Sequence, residues 1–208
     1  MDARSEPGMP FHYYLFHKPY GCVTARRDAL YPTVMDYFRE LQNPELSPVG
    51  RLDRETTGLL LVTDDGKWNQ RMIHPAYHKE KEYTFLLMGI LTDEKKEMLE
   101  KGILLTGSEM RTRPARIAIE GYTTFEQIRG QLHPEIEEKL KHNLPATGVT
   151  AGRIILSEGR KNQIRRMMKA AGCCVIDLKR IRVDGYVLPE TLPPGAYLEL
   201  PEPSAESL

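Results

Sequence analysis

Residues Gly50–Gly66 read GRLDRETTGLLLVTDDG. The stretch opens on charge, breaks at Gly58, runs into solid aliphatics and stops at a second turn. Gly58 permits a positive φ that other residues resist. Leu59–Thr63 is short, apolar and bounded by turn residues, which predicts a strand. Asp64 and Asp65 precede Gly66 and the helical pattern KWNQRMI, so turn or N-cap roles suffice for them. Glu55 reads as a solvated side chain. Asp53 is ambiguous in isolation, because Asp before a Thr-Gly pair is a common turn residue.

Outward from that stretch, FHYYLF from Phe11 predicts a strand and HKPYGC a turn. Thr33 reads as the cap of a helix over VMDYFREL, with Val34, Phe38 and Leu41 on one face. KEYTFLLMG alternates as a strand does. TDEKKEMLEKG has a cap at Thr92 and a stop at Gly102. RTRPARIAIEG and AGRIILSEG predict two more strands. Between them runs a polar, Pro-punctuated excursion over residues 122–150, with a helix from Pro134. KNQIRRMMKAAG places Ile164, Met167, Met168 and Ala171 on one helical face and ends at Gly172. Arg165 sits at the rim of that face. CCVIDLKRIRV and LPPGAYLELP close the pattern with strands. Helices and strands mix without a βαβ rhythm, which predicts an α+β fold. Residues 11–202 are expected to form one domain of two lobes, with flexible tails at 1–10 and 203–208.

Total charge is zero, from 29 Lys and Arg against 29 Asp and Glu, which at first argues against nucleic acid. The distribution reverses that. Arg153–Arg182 holds nine basic residues against Glu158 and Asp177, a local surplus suited to phosphate. No apolar run approaches the roughly 20 residues of a membrane span, and the first ten residues lack a signal-peptide core. Cys22, Cys173 and Cys174 have no metal-ligand spacing, and their odd number points to buried thiols in a reducing cytoplasm. His74 and His78 stand at i and i+4, but Pro75 breaks the helix a metal pair would need, so no metal site is expected.

Two segments belong together: GRLDRETTGLLLVTDDG and EGRKNQIRRMMKAAG. With FHKPYGCVTAR, KEYTFLLMG and LKRIRVDGYVLPETLPPGAYLEL, they resemble the RsuA-like pseudouridine synthases, which isomerise uridine in ribosomal RNA. The resemblance runs over most of residues 11–200. It implies an α+β pseudouridine synthase fold: a long, mixed, mostly antiparallel sheet with flanking helices and a central active-site cleft. It implies that Asp53, of the R-L-D motif, acts at C1′ of a flipped nucleotide, as a nucleophile or by assisting a glycal intermediate. No metal, nucleotide or organic cofactor takes part in the implied reaction. Arg165 matches the family's basic residue that pairs with the catalytic Asp. Tyr83 matches the aromatic that stacks on uracil and helps proton transfer at C5. Arg51 matches an Arg that fills the gap left by the extruded base, and Leu61 is expected to pack beneath the site.

Physical chemistry suits these roles. Breaking a glycosidic bond leaves the anomeric carbon electron-poor, and a fixed carboxylate can stabilise or trap it. In a nearly dry cleft that carboxylate needs a cation to stay charged, which predicts a buried Asp53–Arg165 pair. Lys161, Arg166, Lys169, Lys179, Arg180 and Arg182 are expected to gather RNA phosphates.

Ten residues precede Phe11, too few for the small basic RNA-binding domain that many RsuA-like enzymes carry ahead of the catalytic one. One branch, acting on large-subunit rRNA, lacks that domain, and KPYG looks similar to it. The expected partner is therefore rRNA, large-subunit rRNA in particular, bound by a cytoplasmic monomer. Other readings stay open: a synthase for another structured RNA, or a catalytically silent RNA-binding or ribosome-assembly protein on the same fold. An Asp-dependent glycosidase would ordinarily need a second carboxylate, and none is evident.

Overall fold

The computed structural model describes residues 10–142 and 145–203. The predicted tails lie outside the described residues, except for Pro10 and Pro203. Among the described residues, nine strands form one sheet. They are β1 Tyr13–Lys18, β2 Ser47–Pro48, β3 Thr57–Thr63, β4 Lys81–Met88, β5 Arg116–Thr124, β6 Gly148–Leu156, β7 Cys174–Val183, β8 Tyr186–Val187 and β9 Tyr197–Leu200. The order is β5-β6-β4-β7-β3-β1-β9, with β2 added to β3 and β8 to β7.

All these pairings are antiparallel except that of β3 with β7. The parallel contact is short: Thr57 faces Lys179 and Gly58 faces Arg180. The sheet is therefore two antiparallel halves joined at a narrow seam. Gly58 is required there twice over. Its φ is +101°, and a Cβ would meet the Arg180 carbonyl oxygen at 2.1 Å.

The continuous aliphatic run has a simple cause. β3 is covered on both faces, so successive side chains all need apolar neighbours. Leu59 and Leu61 pack with Trp68 and Met72 of α1 (Gly66–Ile73). Leu60 and Val62 pack on the other face with Phe38, Met167 and Met168. Truncating any of these leucines to Ala removes about 2–5 kcal/mol, by the usual cost of a buried cavity. Asp65 caps α1, accepting the Lys67 and Trp68 N–H groups, and Asp64 accepts the His12 N–H and the Asn43 amide. The two acids thus hold a turn, as their position suggests.

The other helices are α2 Asp93–Glu100, α3 Phe125–Ile128, α4 Pro134–Leu140 and α5 Gln163–Ala170. VMDYFREL forms a 3-10 helix, with Asp36 accepting the Thr33 N–H at 2.7 Å. Two expectations need correction. β5 extends to Thr124 and β6 begins at Gly148, so the excursion is shorter than 122–150. It is also part of the core, since Phe125, Ile128, Leu132 and Ile136 are buried with Val149 and Ile176. The thiols are not uniformly buried either: Cys22 and Cys173 are, but Cys174 opens β7 on the exposed side.

Candidate active site

The Asp53 loop enters the seam just before β3. Every backbone carbonyl from Leu52 to Thr56 has a hydrogen-bond donor. The Leu52 carbonyl accepts from Thr24 Oγ1 at 2.8 Å, and Leu52 N–H donates back to that oxygen at 3.1 Å. The Asp53 carbonyl accepts from Thr56 N–H at 3.0 Å. The Arg54 carbonyl accepts from Gly21 N–H at 3.0 Å and Lys18 Nζ at 3.3 Å. The Glu55 carbonyl accepts from Arg165 Nη2 at 3.0 Å, and the Thr56 carbonyl from Lys18 Nζ at 2.8 Å. Such a loop is held before any ligand arrives, which is what precise placement of a reacting group requires.

Lys18 is fully buried beneath this loop and also donates to the Pro19 carbonyl. Burial pushes its ammonium down to about 8, against the opposing pull of the Cys22 and Asp53 charges. The side chains around Asp53 are taken up elsewhere. Arg54 lies over the Tyr31 ring at 4.7 Å and pairs with Glu135 at 3.3 Å. Glu55 pairs with Lys139 at 2.5 Å, and that hydrogen bond holds its carboxyl below the usual range. Glu55 is therefore not merely solvated: it and Arg54 tie the loop to α4 of the excursion, where Tyr20 stacks on His133.

Asp53 and Arg51 flank buried Leu52 and both line one cleft of about 690 Å³. That volume suits a nucleotide-sized ligand. Tyr83, Leu61, Arg165, Arg180 and Lys161 line the same cleft. Tyr83 is buried at the middle of β4, opposite Ile154 on one side and Arg180 on the other. Leu61 lies beneath, in the α1 cluster.

The expected dry ion pair is absent. Asp53 is exposed, and Arg165 spends its guanidinium on the Glu55 and Val175 carbonyls. The carboxylate's protein partner is one that sequence reading passed over. With its amide nitrogen turned to the carboxylate, Asn162 donates to Asp53 Oδ1 at 3.0 Å and Oδ2 at 2.7 Å. Asn162 has φ +52°, a left-handed conformation that Asn tolerates better than most residues. Its side chain could have been suspected from the break between EGRK and the periodic helix. Lys81 was also passed over, although period-two spacing puts it on the face of β4 that carries Tyr83. It lines the cleft, and burial first, then Arg180, lowers its ammonium.

The expected phosphate-gathering set divides. Lys161 and Lys169 are exposed and Lys179 is half-buried. Arg180 does not stand on an open face; it is buried, donating to the Leu59 carbonyl at 2.8 Å across the seam. Arg182 is paired with Glu82 at 2.9 Å and Glu80 at 3.3 Å, and Arg166 donates to the Thr106 carbonyl. Local charge counting could not separate these from open cations, because their partners come from other strands and loops. Glu158 also lines the cleft, but its carboxylate accepts from Gln163, Arg160 and the Arg113 N–H. His74 and His78 lie on the cleft wall, and among the described residues no three His, Cys, Asp or Glu side chains converge as metal ligands.

Residues 12–170 match the family model described as RNA pseudouridylate synthase. The chain is 34% identical over 196 residues to a ribosomal small subunit pseudouridine synthase A of Haemophilus influenzae, covering 94% of this chain and 73% of that protein. The chain belongs to the RNA pseudouridylate synthase family. It is an RNA pseudouridine synthase, an enzyme. The protein of the same name from Escherichia coli K12 is 33% identical over the same coverage. A crystal structure of a pseudouridylate synthase superposes with a TM-score of 0.74 at 32% identity, covering 92% of this chain and 71% of that one. The fold is the pseudouridine synthase fold, a mixed, mostly antiparallel sheet with helices. These relatives are small-subunit enzymes by name, not members of the large-subunit branch that KPYG suggested. No helix among the described residues is long and apolar enough to cross a membrane.

Proposed function

We propose that the chain converts a uridine of small-subunit ribosomal RNA to pseudouridine, with Asp53 acting at C1′. The names of the relatives support the choice of RNA. The observation that carries the residue assignment is the anchored Leu52–Thr56 backbone, which leaves Asp53 presented to the cleft while Glu55 and Glu158 are engaged elsewhere.

The N1–C1′ bond breaks with its electron pair passing to the uracil. An Asp53 oxygen either bonds C1′ or takes the C2′ proton, which gives the glycal. The uracil turns and C5 bonds C1′, either displacing the Asp53 oxygen from C1′ or as Asp53 returns the proton to C2′ of the glycal. The proton on C5 then leaves and N1 ends protonated, so the product is an isomer of the substrate. Tyr83 stacks on the uracil, with its hydroxyl serving the proton at C5. Arg51 fills the vacated stack, which offsets part of the cost of flipping. Arg165 is a positioning residue, acting through the Glu55 carbonyl. Asn162 holds the carboxylate in one orientation.

The test uses small-subunit and large-subunit rRNA transcripts carrying tritium at uridine C5, since isomerisation releases that tritium. Release from the small-subunit transcript is expected, with none from Asp53→Asn although that variant still binds RNA. Normal turnover by D53N would end the residue assignment. Release from the large-subunit transcript alone would restore the other branch.

A further inference from the structure

Away from the cleft, Arg26, Arg27 and Arg39 line a second groove of about 530 Å³, floored by Met35, Phe38 and Leu46. No Asp or Glu lines it. Arg39 is paired with Asp36 at 2.7 Å, which leaves Arg26 and Arg27 as the exposed cations of the groove on a chain that is neutral as a whole.

The loop that carries Arg26 and Arg27 is ordered from base to tip. Val23 N–H donates to the Pro32 carbonyl and Val34 N–H to the Val23 carbonyl, both at 2.9 Å, closing its base. Asp28 Oδ1 accepts the Leu30 N–H at 2.8 Å and the Tyr31 N–H at 2.9 Å, so its carboxylate is occupied in shaping the tip. Tyr31 is covered by Arg54 of the Asp53 loop, and Leu30 is 83% exposed. Thr24, two residues before Arg26, is the side chain bonded twice to Leu52. The loop is therefore fixed to the backbone that presents Arg51 and Asp53.

We propose that this loop and groove form a second RNA-backbone site, in which Arg26 and Arg27 take phosphates of the strand flanking the target nucleotide. Thr24 is bonded to Leu52, the neighbour of Asp53, and stands two residues before Arg26, so the two exposed arginines are held close along the chain to the loop where the target nucleotide would enter. Guanidinium groups bind phosphate oxygens bidentately, and the apolar floor and Leu30 offer surface to ribose or an unstacked base. Lys161 then lines the cleft on one side, and this loop supplies cations on the other strand path. The inference rests on the RNA substrate proposed above but not on which rRNA it is, because phosphate contacts carry no sequence information.

The experiment compares the wild type with Arg26→Ala/Arg27→Ala in binding to poly(U) and to the small-subunit transcript across a salt series. Two lost phosphate contacts should reduce the slope of log affinity against log salt by about 1.4, using roughly 0.7 per contact for single strands. At low salt the affinity should fall on the order of tenfold, with the melting temperature unchanged and Arg26→Lys/Arg27→Lys retaining most of the slope. Unchanged affinity and slope on both RNAs would overturn the proposal, and would be the outcome if the groove instead serves a protein partner. A drop in melting temperature equal to that of a core variant would overturn it too, as a folding effect. Lack of tritium release from the transcript would count against the proposed rRNA, while the poly(U) slope still tests the groove.

Discussion

Asn162→Gly isolates the contribution of one side chain to the placement of Asp53. Asn162 sits at φ +52°, where Gly is at ease but Ala is strained by about 1 kcal/mol. Gly therefore removes the amide and leaves the backbone as it was. The amide donates to both carboxylate oxygens, at 3.0 and 2.7 Å. Hydrogen bonds to a charged group contribute about 1.5–3 kcal/mol, but Asp53 is exposed and water replaces part of that, which leaves about 1–2 kcal/mol. Expressed as misorientation of the reacting oxygen, this is a loss of about five- to thirtyfold in single-turnover tritium release at saturating RNA. RNA affinity and melting temperature should hold in N162G. Asn162→Ala should lose the same rate and also melt lower, and Asn162→His, which restores a donor, should recover part of the rate. Wild-type turnover by N162G would refute the clamp. A rate loss that tracks melting temperature across the three variants would make it structural.

Three further outcomes follow from the same loop. Arg165→Met removes the donor to the Glu55 carbonyl, and should lower the single-turnover rate more than RNA affinity; equal losses in both would make Arg165 a binding group. Lys18 titrates near 8 in the fold against its ordinary 10.5, so between those values the unfolded chain holds the proton and the folded chain does not. Wild-type stability should therefore rise relative to Lys18→Met as pH goes from 8 to 10.5, by up to about 3 kcal/mol, and parallel urea-denaturation curves would contradict this. Gly58→Ala would drive a Cβ into the Arg180 backbone at φ +101°, and should cost at least about 3 kcal/mol by denaturant titration; a loss under about 1 kcal/mol would mean the seam can open.

Local patterns carried much of the architecture. The turn-bounded aliphatic run is β3, the period-3.6 stripe of Ile164, Met167 and Met168 is the buried face of α5, and Asp65 before Gly66 is a helix cap. These features depend on neighbours in the chain, so spacing reveals them. The excursion was harder to read because its composition is polar. Its buried residues Phe125, Ile128, Leu132 and Ile136 are spread over two short helices and the extended Leu132 between them, so no single periodicity marks the buried face. The arginines were least legible. Arg165, Arg166, Arg180 and Arg182 look alike in sequence, yet they end on loop carbonyls, a seam and a carboxylate pair.

Sequence by itself determined the element types, the α+β class and the family motifs, and it singled out Asp53 as the candidate among four nearby acids. Tertiary structure alone decided which groups meet that carboxylate: Asn162 rather than Arg165, with Lys18, Gly21, Thr24 and Arg165 each holding a different part of its backbone. The physical reason is distance along the chain. Residue patterning fixes which face of a strand or helix is apolar, but a hydrogen bond between Arg165 and Glu55 exists because two antiparallel half-sheets join at Gly58. No periodicity within either segment encodes that join.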